Sequence, residues 1–155
     1  MKGKTLAAMT AAILLAAVCV NGEENRSWDF SKDAQTLRFV GIKDKLADSS
    51  GLKFLTEKDS QVYLGGAAVN AADYGSMEIV MKADKDAVAQ LFFAPTIKEL
   101  SEKASIRFPV KSSDSFVTYR IDLAANEFWT GSIGCLRFDP VEQMDVNVQI
   151  KSVTL

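Results

Sequence analysis

The sequence has 155 residues, of which 48% are hydrophobic and 25% charged, and its formal net charge at pH 7 is −2. This size suits one domain with a buried core, and the sequence has no basic run of the kind that indicates a nucleic-acid partner. Histidine is absent and only two cysteines are present, which excludes Ser–His and Cys–His nucleophilic pairs and any histidine metal site.

The N-terminal segment has the pattern of an export signal. Lys2 and Lys4 precede an almost continuous apolar run over 6–20. That run is shorter than the roughly 20 residues of a membrane span, and it fits the apolar core of a secretory signal peptide. We therefore expect a signal peptide over 1–22 and a single β-sandwich domain over 23–155, secreted or periplasmic, with no membrane span.

The two cysteines have different expected fates. Cys19 lies at the end of the apolar run, where lipidation would anchor the protein, but Val18 occupies a position that usually holds Gly, Ala or Ser. Lipid anchoring through Cys19 is therefore the lesser alternative. Once Cys19 is removed with the signal, Cys135 is the lone thiol and no intrachain disulfide can form. Its place among apolar residues predicts a buried, inert thiol.

Strand periods dominate the rest of the chain. Met77, Ile79 and Met81, for example, alternate with more polar residues, as in a half-buried strand. The predicted strands are 28–30, 37–42, 52–55, 61–64, 76–83, 87–93, 105–110, 116–123, 133–140 and 146–150. The polar stretch 44–51 predicts a loop, 56–60 a turn, and Pro109 an edge strand. No segment predicts a long helix, so we expect an all-β antiparallel β-sandwich.

The C-terminal third carries a resemblance to a known family. The runs YRIDL (119–123), WTGSI (129–133) and LRFDP (136–140), followed by an alternating last strand, resemble the end of galactose-binding-domain-like jelly rolls. Such domains occur in bacterial secreted proteins, often attached to glycan-degrading enzymes, where they act as carbohydrate-binding modules. The resemblance implies a jelly roll of two facing antiparallel sheets.

Function follows from the resemblance only in outline. It implies a secreted, non-catalytic module that binds a glycan or polysaccharide, and a structural calcium ion, which is common in the family. The alternative is a structural or protein-interaction β-sandwich with a protein partner and no sugar ligand. Catalysis is not expected, because no pair of carboxylates stands out as an acid–base couple.

Candidate ligand-binding residues come from strand phase and side-chain type. Successive side chains point to opposite faces of a strand, so Val117, Tyr119 and Ile121 belong to the core, while Phe116 and Arg120 point away from it. Aromatic rings can stack on the apolar face of a sugar, and polar groups can bind its hydroxyls. The candidate ligand-binding residues are Gln90, Phe92, Arg107, Phe116, Arg120, Trp129 and Arg137. All except Trp129 are expected in one groove if their face is concave, and no metal ligands are identified.

Overall fold

The computed structural model describes residues 25–66 and 68–155, which form eleven β-strands and four short 3₁₀ turns. The strands are β1 (Ser27–Asp29), β2 (Arg38–Asp48), β3 (Gly51–Leu64), β4 (Val69–Asn70), β5 (Ser76–Ala83), β6 (Ala87–Ala94), β7 (Ser105–Val110), β8 (Val117–Asp122), β9 (Ser132–Ile133), β10 (Cys135–Asp139) and β11 (Asn147–Thr154). The 3₁₀ turns are Asp33–Gln35, Ala71–Asp73, Ile97–Glu99 and Glu102–Ala104.

The long strand β3 joins two layers. Its first part pairs with β11 over 52–55, and its last part pairs with β10 over 62–64. The first layer therefore has the order β7–β6–β10–β3–β2, and the second has the order β8–β5–β11–β3–β2. Strand β1 pairs with β11 in the second layer, and β4 pairs with β9 as a separate ribbon. All of these pairings are antiparallel.

Alternation along the strands creates one core between the layers. Val62, Leu136 and Phe138 point inward from the first layer, while Ile79 and Ile150 point inward from the second, and all five belong to a single hydrophobic cluster. Each large apolar side chain buried there stabilises the fold by about 1.5–3 kcal/mol. Successive side chains point to opposite faces of a strand, so every second residue faces outward, where a ligand could reach it.

Strand β2 and the middle of β3 differ from the sequence prediction. The segment 44–51, expected as a loop, forms the end of β2, a tight turn and the start of β3. The segment 56–60, expected as a turn, lies within β3, whose strand passes from one layer to the other there. Register shifts accompany this passage, and Gly41, Asp44 and Asp59 adopt positive φ angles of 61°, 54° and 56°. Such local irregularities let a long strand bend without ending.

The fold class predicted from the sequence is confirmed: the chain is an all-β antiparallel sandwich of the jelly-roll type. The edge position expected for the strand with Pro109 is also correct, since β7 ends the first layer. No helix within 25–66 and 68–155 has the length and apolarity that a membrane crossing needs. The signal peptide predicted over 1–22 and the alternative at Cys19 lie outside the described residues.

Candidate functional site

A row of arginine and aromatic side chains crosses the outer face of the first layer. Arg38 on β2 is the Cα partner of Tyr63 on β3, which is in turn the partner of Arg137 on β10. Arg137 is the partner of Phe92 on β6. We call these four residues the arginine–aromatic row. Adjacent strands lie about 4.8 Å apart, so the row spans about 14 Å across four strands.

Each arginine in the row covers a ring. The Cζ of Arg38 lies 4.7 Å from the ring centroid of Tyr63, and the Cζ of Arg137 lies 4.0 Å from that of Phe92. Both distances fit a cation–π contact. Exposure falls along the row: Arg38 is exposed, Tyr63 is half-buried and Phe92 is only 4% exposed. Phe92 nevertheless lies outside the core cluster, because its ring is on the outer face beneath Arg137.

A half-buried ion pair holds Arg137 in place. Its Nε and one terminal nitrogen donate to the two carboxylate oxygens of Asp139, at 2.9 and 2.7 Å. The side chains of Arg137 and Asp139 are only 19% and 16% exposed. Burial raises the pKa of the Asp139 carboxyl, and the hydrogen bond from Arg137 opposes this rise without cancelling it. The pair therefore fixes both a donor and an acceptor at the centre of the face.

A cleft of about 280 Å³ lies beside the row. Gln90 is 5% exposed in this cleft, and its Nε2 donates to Glu102 and to Ser105, both at 2.8 Å. Arg107 is ion-paired with Glu142 at the cleft's outer side. Gln90 with Glu102, and Arg137 with Asp139, are thus hydrogen-bonded pairs within the lining, which gives the cleft a defined polar surface.

The structure brings together four of the seven predicted site residues. Gln90, Phe92, Arg107 and Arg137 share the outer face of the first layer, as strand phase predicted for them. Phe116 and Arg120 do not join them, because β8 is the edge strand of the second layer. The single groove expected for all six outward residues is therefore not present.

Trp129 lies in the core and not on a face. It is 7% exposed, and its indole Nε1–H donates to the carbonyls of Ala71 and Tyr74 at 3.0 and 2.7 Å. Its ring meets Phe93 edge-on, with centroids 5.1 Å apart. The sequence made Trp129 a candidate ligand-binding residue, but its indole lies inward, where its one N–H finds backbone acceptors.

Two members of the row and its ion-pair partner were absent from the predicted site. Tyr63, Arg38 and Asp139 are not among the candidates that strand phase and side-chain type select in the sequence. An isolated arginine at the start of a strand, such as Arg38, does not by itself indicate a binding site. What unites these residues is the register between β2, β3 and β10, a long-range property that strand periodicity does not contain.

Cys135 differs from its predicted state, since it is half-buried and not fully buried. It faces outward opposite Ala94, and burial raises the pKa of its thiol while the charge of Arg137 opposes that rise.

The structure shows no side-chain cluster for the predicted calcium ion. Within 25–66 and 68–155, no group of three or more Asp, Glu, His or Cys residues could hold a metal. A calcium site here would have to depend on backbone carbonyls, so we assign no role to the ion.

Among known proteins, similarity to this chain is found at the level of fold. No protein-family model matches the sequence. No curated protein matches it either. Among solved structures, a family 29 carbohydrate-binding module is 17% identical, with a TM-score of 0.54 over 76% of this chain and 75% of that one.

Two further structures of family 29 modules contain oligosaccharides. A variant in complex with cellulohexaose is 17% identical, with a TM-score of 0.56 over 84% of this chain and 89% of that one. A variant in complex with mannohexaose is 21% identical, with a TM-score of 0.50 over 76% and 77%. This protein therefore has the β-sandwich fold of the family 29 carbohydrate-binding modules.

Proposed function

We propose that this protein is an exported, non-catalytic carbohydrate-binding module whose glycan lies along the arginine–aromatic row. The observation that carries the proposal is the row itself, in which rings and fixed hydrogen-bonding groups alternate over about 14 Å of sheet surface. The similar structures that hold cellulohexaose and mannohexaose support a chain of sugars as the ligand.

The chemistry of the row suits sugar hydroxyls. A hydroxyl both donates and accepts a hydrogen bond, and the Arg137–Asp139 pair offers N–H donors beside carboxylate acceptors. Arginine has five N–H donors, and Asp139 engages two of those on Arg137, so others remain for a ligand. Because both side chains are held before a ligand arrives, little rotamer freedom is lost on binding.

The exposed end of the row supplies the apolar contact. Tyr63 is half-buried, and its hydroxyl donates to Gln61 Oε1 at 2.9 Å, which fixes the ring's orientation. Arg38 lies over this ring but is itself exposed, so it can move aside or bind a sugar hydroxyl from above. We expect Tyr63 to be the main aromatic contact, since Phe92 remains covered by Arg137.

Variants of similar structures involve the same residue types. The variants studied for ligand recognition include replacements of a tyrosine, of an arginine and of an aspartate two positions after that arginine. Arg137 and Asp139 have the same spacing here, with Tyr63 on the neighbouring strand. This parallel supports the arginine–aromatic row as the glycan-binding surface.

Binding without catalysis is supported by the state of the carboxylates on this face. Glycoside hydrolysis requires one carboxyl group to protonate the leaving oxygen and another to act as a base or nucleophile. Asp139 and Glu142 are each engaged by an arginine, and Glu102 accepts a hydrogen bond from Gln90. These contacts give the carboxylates of Asp139, Glu142 and Glu102 structural partners.

Isothermal titration of the purified protein with a panel of oligosaccharides, including cellohexaose and mannohexaose, tests the proposal. We expect at least one to bind, and Tyr63→Ala and Arg137→Met to weaken it by about tenfold or more, as for residues central to an interface. Arg120→Met on the second layer is the matched control and should bind like the unaltered protein. Circular dichroism confirms folding, and repeating the titration with a calcium chelator tests the predicted ion.

Two results would count against the proposal. If no oligosaccharide binds, the protein-interaction alternative becomes the better account of this fold. If Arg120→Met weakens binding as much as Arg137→Met, the glycan does not lie on the first layer.

A further inference from the structure

A second cavity, of about 240 Å³, opens on the outer face of the second layer. Three adjacent strands contribute its central polar side chains. Lys53 on β3 is the Cα partner of Gln149 on β11, and Gln149 is the partner of Lys82 on β5. Asn147 lies two residues before Gln149 and therefore faces the same way. This cavity is on the opposite side of the sandwich from the arginine–aromatic row.

The two amide side chains of the cavity are held by partners at its rim. Gln149 is only 4% exposed, and its Nε2 donates to Ser50 Oγ at 2.7 Å. Asn147 donates from its Nδ2 to one carboxylate oxygen of Asp84 at 2.7 Å and from its backbone nitrogen to the other at 2.9 Å. Neither set of bonds uses the carboxamide oxygen, which leaves an acceptor on each side chain.

The two lysines are positioned in a similar way. Lys82 donates from Nζ to the carbonyl of Asp114 at 2.9 Å, and its Nζ lies 5.4 Å from the ring centroid of Phe116. Lys53 Nζ lies 3.5 Å from a carboxylate oxygen of Asp48. An ammonium group has three N–H donors, so each lysine can still donate to a ligand. The cavity thus combines oriented acceptors with oriented donors.

Charge and size restrict what could occupy the cavity. Its lining carries two ammonium groups and three carboxylates, those of Asp44, Asp84 and Asp114. This mixture gives neither sign a strong excess, so it favours an uncharged ligand over an anion or a cation. The volume falls below the roughly 300–1,000 Å³ of pockets that enclose drug-sized ligands, so one ring fits better than a chain.

We infer that this cavity binds a single uncharged sugar residue, which gives the protein two glycan sites on opposite faces of the sandwich. The ammonium groups of Lys53 and Lys82 donate to the sugar hydroxyls, and the carboxamide oxygens of Asn147 and Gln149 accept from them. This site does not depend on the arginine–aromatic row. With both sites occupied, the protein joins two glycan chains, or binds one branched glycan more tightly than either site alone.

Nuclear magnetic resonance of the isotope-labelled protein tests this inference. The probes are the methyl glycosides of glucose, galactose, mannose and xylose, and the signals are the side-chain amides of Asn147 and Gln149. We expect at least one glycoside to shift both signals saturably. Lys82→Met should weaken that binding by about tenfold, a difference of about 1.4 kcal/mol, while Tyr63→Ala should leave it unchanged. Lys53→Met serves as a second variant if Lys82→Met alters the backbone spectrum.

The outcomes separate this site from the first one. Absence of a saturable shift at these amides with all four glycosides would overturn the inference, whatever the hexasaccharides do on the other face. Equal loss of glycoside binding in Tyr63→Ala would also overturn it, because a single shared site would then explain both effects.

Discussion

The outer faces of the two layers carry the same kinds of side chain in different settings. On the first layer, Arg137 and Asp139 form an ion pair whose side chains are 19% and 16% exposed. On the second, Arg120 and Glu78 form an ion pair whose side chains are 72% and 45% exposed, with a separation of 3.3 Å. In the sequence, the residues of both pairs are charged residues on predicted strands, and nothing there distinguishes the buried pair from the exposed one.

Burial explains why the two faces should behave differently. Water screens the pair on the second layer, so its charges remain mobile and contribute little to stability. The pair on the first layer is shielded, its geometry is bidentate, and it fixes a guanidinium over Phe92 at 4.0 Å. The first face is therefore preorganised across its centre. On the second face, the side chains held by hydrogen bonds are those of Gln149 and its neighbours around the cavity.

The largest expected effect is on the free energy of unfolding, which should fall far more for a change in the core than for a change on an outer face. Trp129→Ala should lower the free energy of unfolding by about 3–5 kcal/mol, because it removes a buried ring that packs on Phe93. Phe116→Ala, on the outer side of the second layer, should lower it by less than about 1 kcal/mol. Urea denaturation measures both, and a similar loss in the two variants would show that Phe116 is structural.

A smaller effect distinguishes the two ion pairs. Asp139→Ala leaves Arg137 half-buried without its partner, so we expect a loss of about 1–3 kcal/mol in the free energy of unfolding. Glu78→Ala removes the partner of exposed Arg120 and should cost no more than about 1 kcal/mol. Urea denaturation at neutral pH tests this contrast, and equal losses would contradict the difference in burial drawn between the faces.

Acid should act on the two layers with opposite sign. Hydrogen bonds from the Ser31 hydroxyl and the Lys32 ammonium lower the pKa of Asp29, in the second layer, from 3.8 to about 2. Its stabilising contribution is therefore present above pH 3.8 and is lost as the pH falls towards 2. Burial raises the pKa of Asp139, so the folded state takes up that proton first, and acidification through this pKa relieves a destabilising charge.

Carbon-detected nuclear magnetic resonance of the carboxyl groups measures these two pKa values directly. We expect Asp29 to titrate below its ordinary value and Asp139 above it. The variants Asp29→Asn and Asp139→Asn identify the signals. A pKa of Asp139 below its ordinary value would show that the charge of Arg137 outweighs burial on the first layer.

The smallest expected effect concerns the thiol beside the row. Cys135 is half-buried and its pKa is raised, so a thiol reagent should label the folded protein more slowly than the protein in urea. If a bound oligosaccharide covers the first face, labelling should slow further. Labelling that is as fast in the folded protein as in urea would mean that the thiol is open to solvent.

Strand periodicity could predict much of this fold. The alternation at 76–83 and at 105–110 predicts β5 and β7 with the bounds that the structure shows. It fails along β2, where burial does not alternate over 43–47 because both faces of this part of the strand are exposed. It fails again at 56–60, where polar residues predicted a turn. These residues lie inside β3, at the point where the strand bends from one layer to the other.

The site was less predictable than the fold for a related reason. Strand phase correctly assigned Gln90, Phe92 and Arg137 to the side of their strands away from the core. It could not tell that β8 belongs to the other layer, so Phe116 and Arg120 were grouped with them. Which strands lie side by side depends on pairings far apart in sequence, and these alone bring Arg38 and Tyr63 next to Arg137.

Mapping a bound oligosaccharide by nuclear magnetic resonance tests the central claim most directly. The isotope-labelled protein is titrated with whichever hexasaccharide binds in calorimetry, and the shifted amide signals are placed on the structure. We predict that the largest shifts fall on β2, β3, β10 and β6 around Arg38, Tyr63, Arg137 and Phe92. Largest shifts on β5 and β8 instead, around Glu78 and Arg120, would contradict the claim that the glycan lies along the arginine–aromatic row.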